Sequence, residues 1–82
     1  MRGTVFFEKG ELDKAIVEYT WAIRLKPNDP DPYKLRGMAY YHKNDLDSTI
    51  ADFEAALKLK PNDAEVRNVL GMARQLKQLK QR

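Results

Sequence analysis

Apolar residues recur along this chain with the step of a helix. After Leu12 they stand at Ala15, Ile16, Tyr19, Ala22 and Ile23, so one side of the coil is apolar and the other wet. Leu46, Thr49, Ile50, Phe53, Ala56 and Leu57 repeat that spacing. Pro27 and Pro61, each followed by Asn-Asp, stop the two segments, because proline cannot donate the next backbone hydrogen bond. Asp31-Pro32 suits an N-cap with proline in the first turn of the next helix, and Asp63 suits a cap ahead of Ala64. Gly10 and Asn44 occupy matching positions between segments, where a left-handed residue closes one helix before the next. Nothing reads as a strand. The pattern predicts an all-α chain of five helices.

The two halves of the pattern are one pattern twice. Slid along itself by about 34 residues, the sequence matches at about 16 of about 48 aligned positions. Ile23-Arg-Leu-Lys-Pro-Asn-Asp29 returns as Leu57-Lys-Leu-Lys-Pro-Asn-Asp63, Arg2-Gly3 as Arg36-Gly37, and Gly37-Met-Ala39 as Gly71-Met-Ala73. Where identity fails, size is often kept, as in Phe6/Tyr40, Phe7/Tyr41 and Tyr19/Phe53.

Those residues carry a family resemblance. Tyr33, Gly37, Tyr40, Thr49, Phe53, Ala56 and Pro61 resemble the pattern of the tetratricopeptide repeat (TPR), and Gly3, Phe6, Gly10, Ala15, Tyr19, Ala22 and Pro27 supply it a first time. A third copy offers Leu70-Gly71 and then departs, with Arg74 where an aromatic belongs. Arg36 stands where the family has leucine, and Thr49 where it has alanine. The resemblance implies a right-handed α-solenoid of stacked antiparallel helix pairs, about two and a half repeats in one domain. Residues 1–29 form a first repeat with a shortened leading helix, 30–63 a full repeat, and 64–82 a lone, extended final helix. Gly3, Gly37 and Gly71 are expected where helices approach closely, with Tyr19 and Phe53 filling the space between pairs. Fewer than three full repeats leave both ends incomplete, so either the array is longer or another copy covers the ends.

Composition narrows the chemistry. The 82 residues carry 15 basic and 12 acidic side chains, a formal charge of +3, no cysteine and a single histidine. Disulfides, thiol chemistry and a zinc site are therefore not expected. Apolar runs are only a few residues long, against the roughly 20 of a membrane span, and no secretory leader is visible, so a cytoplasmic setting is expected. Asp45 and Asp47 flank a turn and read as solvated residues favouring a helix start, His42 has no triad partner, and no glycine-rich phosphate loop occurs. No enzyme activity and no cofactor are expected.

Function is then expected on a surface. In the family the concave face is lined by the first helix of each pair, which implies Thr4, Phe7 and Glu8, then Asp31, Lys34, Met38, Tyr41 and His42, then Glu65, Asn68, Met72, Gln75 and Leu76. Phe7, Met38, Tyr41 and Met72 make an apolar floor suited to a peptide or helix of a partner protein, unless the methionines pack between helices instead. Family members that grip chaperone C-terminal tails use a clamp of Lys, Asn, Asn, Lys and Arg at set groove positions, the last four of which can be matched in this sequence. Here the matching positions carry Thr4, Leu35, Glu65 and Val69, so such a tail is not an expected ligand.

A second surface is an apolar line of Val17, Trp21 and Leu25 on the convex side, which either packs locally or contacts protein, including a second copy. Leu76 and Leu79 continue an apolar side of the last helix and are candidates for the same self-association. Arg67, Arg74, Lys77, Lys80 and Arg82 make that helix basic, either as a solvating end or as an anion site. Without interleaved aromatics, and with a small overall charge, nucleic acid and membrane are not expected partners.

Overall fold

Two left-handed residues set the hairpins of the fold, Gly10 at φ 79° and Asn44 at φ 65°. The computed structural model describes residues 2–80, so Arg82 of the basic series lies outside the described residues. Over that span the chain forms α1 (Arg2–Glu8), α2 (Leu12–Leu25), α3 (Pro30–His42), α4 (Leu46–Leu59) and α5 (Ala64–Lys80), with no strand among the described residues. After α1 the Gly10 and Glu11 amides donate to the Phe7 and Phe6 carbonyls. After α3 the Asn44 and Asp45 amides donate in the same way to Tyr41 and Tyr40. Each reversal thus satisfies carbonyls that a helix end leaves without partners.

Caps fix the other boundaries. Asp45 accepts the Ser48 amide at the start of α4, and Asp63 accepts the Val66 amide at the start of α5, the cap the sequence predicts. The cap of α3 differs from expectation. Asp29, not Asp31, is the capping residue, its extended backbone leading into Pro30 and its Oδ1 accepting the Asp31 amide at 3.0 Å. Asp29-Pro30 and Asp31-Pro32 carry the same local signature. The earlier one starts the helix because Pro30, lacking an N–H, sits in the first turn without cost, and Pro32 is tolerated in that same turn.

Each helix packs on those before and after it in the chain, most extensively α3 on α4, giving a slab of 37 × 27 × 17 Å. Tyr19 and Phe53, at the same place in successive copies, are fully buried. A Cβ on Gly3 would lie 2.6 Å from the Tyr19 ring, and one on Gly37 would lie 2.8 Å from the Phe53 ring, so glycine is required for these helices to meet. The expectation fails at Gly71, where a Cβ would meet nothing within 4 Å. No following helix lies against that part of α5 among the described residues, so the steric reason for glycine is missing there. Around Phe53, the core continues through Ala56, Val66 and Leu70, with Tyr33, Met38 and Ile50 against it.

The family departures have local causes. Thr49 is fully buried where alanine is usual, and its hydroxyl donates to the Asp45 carbonyl at 2.8 Å, so that buried hydroxyl is paired. Arg36 is a junction rather than a packing residue. Its Nε and Nη2 donate to the two Asp52 oxygens at 2.8 and 2.7 Å, while Nη1 donates to Thr20 of α2 at 3.2 Å. One guanidinium thereby ties α3 to the helices on both sides, in the two-pronged geometry that makes arginine–carboxylate pairs strong.

Candidate functional site

Helices α1, α3 and α5 alternate along the chain with α2 and α4, and residues of all three meet at one cleft. Thr4, Phe7 and Glu8 of α1, Lys34, Leu35 and Met38 of α3, and Glu65 of α5 line a common cleft of about 300 Å³, with Tyr19 of α2 contributing from beneath. Positions three and four apart share a helix face, so Thr4 with Phe7 and Glu8, and Lys34 with Met38, enter the cleft from adjacent turns. At the floor Thr4 Oγ1 and the Tyr19 hydroxyl lie 3.3 Å apart and share a hydrogen bond.

Beyond Met38 the lining becomes aromatic. The Phe7 ring meets His42 edge-on with centroids 5.2 Å apart, and Tyr41 meets His42 similarly at 6.1 Å. Contacts with the buried cluster around Phe53 hold Met38 half-buried, so it serves both readings of the methionines, packing on the core and lining the cleft. Met72 stays about half exposed on α5.

The charged groups are arranged around Lys34. Its ammonium lies 2.8 Å from Glu65 and 3.6 Å from Asp63. The hydrogen bond to Glu65 raises the Lys34 pKa above its ordinary value, against a loss of hydration and with help from Asp63. The Asp63 carboxyl is held below the usual carboxylate range, first by the Val66 amide it caps and then by Lys34 and Lys60. Glu8 and Asp31 are exposed and make no ion pair among the described residues.

The sequence-predicted groove residues therefore divide. Thr4, Phe7, Lys34 and Met38 come together in the cleft, His42 adjoins it through Phe7 with Tyr41 behind His42, and Asn68 and Met72 sit exposed on α5 away from it. Gln75 lines a different hollow with Ile50, Gly71 and Arg74, on the outer side of α5. Leu35, matched in the sequence only to a clamp position, and Tyr19, which escaped the sequence reading as a groove residue, both belong to the cleft. The only available signal for Tyr19 was its hydroxyl, which the matching Phe53 lacks.

The other two surfaces are also placed. Val17, Trp21 and Leu25 expose 56%, 56% and 78% of their surface, so the apolar line on α2 is open, with the Arg24 guanidinium 5.4 Å over the Trp21 ring. Leu76 and Leu79 are exposed on α5. Much of the positive charge of α5 is engaged with α4 and the turn that precedes it. Arg74 pairs with Glu54, Lys77 pairs with Asp47 at 2.6 Å, and Lys80 donates to the Asn44 side-chain oxygen at 2.6 Å. Among the described residues no group of three or more candidate metal ligands assembles, and no helix is long and apolar enough to cross a membrane.

A family model described as TPR repeat matches residues 3–44, and one described as Tetratricopeptide repeat matches residues 30–63. No curated protein matches the chain.

Proposed function

The chain belongs to the tetratricopeptide-repeat family, whose repeats generally mediate protein–protein interaction, and we propose that it is a scaffold binding a peptide or helix of a partner on the face formed by α1, α3 and α5. The observation that carries this reading is the cleft itself, where three separate helices bring Thr4, Phe7, Lys34, Met38 and Glu65 to one place. The family is a non-catalytic scaffold, and the site offers an apolar floor, a hydroxyl pair and a Lys34–Glu65 ion pair, a combination suited to holding a side chain and a peptide backbone. Acidic chaperone tails are not the ligand, because the clamp positions carry Thr4, Leu35, Glu65 and Val69 and present no cation. Calorimetric titration with such a tail peptide is expected to show no micromolar binding.

The test is affinity capture of a partner with the wild-type chain, followed by titration of that partner against Phe7→Ala and Tyr41→Ala. Both changes are expected to weaken the complex while helicity by circular dichroism stays constant. A partner held equally well by both variants would remove the interaction from this face.

A second reading has its own observation, the exposed line of Val17, Trp21 and Leu25. In it, copies of the chain associate through that line and through Leu76 and Leu79. Light scattering across a range of concentrations tests it, with Trp21→Glu expected to shift any larger species to monomer. A wild-type chain that stays monomeric at high concentration rules it out.

A further inference from the structure

We propose that the segment taken by the cleft is a basic one, with an apolar side chain inserted beside Phe7 and Met38 and a lysine or arginine on each side of it; this rests on the groove reading above and names its ligand. Two independent features lead there, the shape of the cleft and the sign of its charge.

A volume of about 300 Å³ is at the lower end of small-molecule pockets. Bounded by Phe7, Leu35, Met38 and the ring of Tyr19, it has room for one or two apolar side chains. At its floor the partly exposed Thr4 hydroxyl, held by that of the buried Tyr19, can meet a backbone group of an inserted segment.

The charge around it runs against the rest of the molecule. The whole chain carries a formal +3, yet the cleft lining holds Glu8 and Glu65 against Lys34, a net −1, and Asp63 at the rim is offset by Lys60, so Lys34 is the one cation of the lining. That one cation is engaged, since its ammonium faces Glu65 at 2.8 Å and Asp63 at 3.6 Å. On the opposite wall Glu8 is exposed and has no ion-pair partner among the described residues, and Asp31 adds a further exposed carboxylate one turn before Lys34. Carboxylates thus stand on both sides of an apolar hole, on α1 and on α5. A ligand cation on each side of an apolar anchor meets them, while an acidic segment meets repulsion on both sides. Complementary potential of this kind selects among partners and speeds their encounter.

The experiment uses an immobilised library of degenerate dodecapeptides probed with the purified chain, then solution titration of the selected sequences. The expected result is enrichment of Leu, Met or Phe flanked by Lys or Arg. Glu8→Lys is expected to weaken the selected peptides about fivefold, and Glu8→Lys with Glu65→Lys to weaken them further, at unchanged helicity. Affinity should also fall as salt rises from low to about physiological strength. Selected peptides that are acidic or show no charge preference, yet are lost on Phe7→Ala, overturn the basic ligand and leave the groove reading standing. Selected peptides indifferent to Phe7→Ala and Tyr41→Ala, or no selected peptide at all, overturn both.

Discussion

Arg2–Glu18 and Arg36–Asp52 are the same ion pair in successive copies, at the same separation along the chain, yet they are physically different interactions. In the first, the Arg2 side chain is 81% exposed and Glu18 24%. In the second the values fall to 20% and 6%, and the guanidinium grips the carboxylate with two nitrogens. The difference comes from neighbours. Arg36 lies between α2 and α4 and reaches both, whereas Arg2 is in a helix of seven residues that packs chiefly on α2, and its side chain reaches only Glu18 of that helix. Ala22 and Ala56 repeat the contrast, half-buried in the first copy and buried in the second. In a stacked array a residue's worth is therefore set by what stacks on both sides of it, as a sum of local and nearest-neighbour terms implies.

That contrast can be broken most directly at the arginines. Arg36→Met leaves Asp52 buried without its partner, and a loss of about 3 kcal/mol is expected in urea denaturation, whereas Arg2→Met should cost less than about 0.5 kcal/mol. Equal effects would mean that stacking does not separate the two copies. The glycines give the next largest effect, and here the signs are opposite. Gly37→Ala drives a methyl into the Phe53 ring and should destabilise by about 1–3 kcal/mol. Gly71→Ala, in the same Gly-Met-Ala sequence but facing open space, should stabilise by about 0.5–1 kcal/mol through helix propensity.

The two hairpins allow a finer comparison. Gly10→Ala places an ordinary residue at φ 79° and should cost about 1 kcal/mol, while Asn44→Gly at φ 65° should gain a few tenths of one. Smallest of all is the charge at Asp63. Its folded-state pKa is lowered, so its stabilising effect is present above the unfolded carboxylate value and fades as pH falls through the folded one. Wild type should therefore melt above Asp63→Asn at neutral pH. The margin should close in acid, below the ordinary carboxylate range, and a margin that persists there would assign the effect to the cap rather than to the charge.

The helices were legible because their evidence is local and repeated. The apolar stripe of Leu12–Ile23 returns in Leu46–Leu57, and two independent copies of one pattern leave little room for another reading. The cap at Asp29 was less legible, since two Asp-Pro steps two residues apart carry one signature, and only the geometry of the turn after Pro27 chooses between them. The basic series on α5 left two readings open for a related reason. Sequence lists its charges without their partners, and Arg74 and Lys77 turn out to face Glu54 and Asp47 of α4. The repeat held the clue, because Lys43 pairs with Asp13 as Lys77 pairs with Asp47, and all four are among the identities between copies. At the cleft, Thr4, Phe7, Lys34 and Met38 were legible through the family pattern, whereas Tyr19 enters from a helix of the other set, and helix spacing alone does not say how far a side chain reaches between layers.

Helix positions, the hairpin residues and the family follow from the one-dimensional pattern, because capping, left-handed turns and amphipathic spacing act within a few residues of one another. The tertiary structure alone decided which of three like glycines is crowded, which of two like ion pairs is buried, and which charges remain around the cleft. Each of those outcomes depends on a neighbour distant in sequence, and packing and electrostatics fall off with distance in space, whatever the distance along the chain.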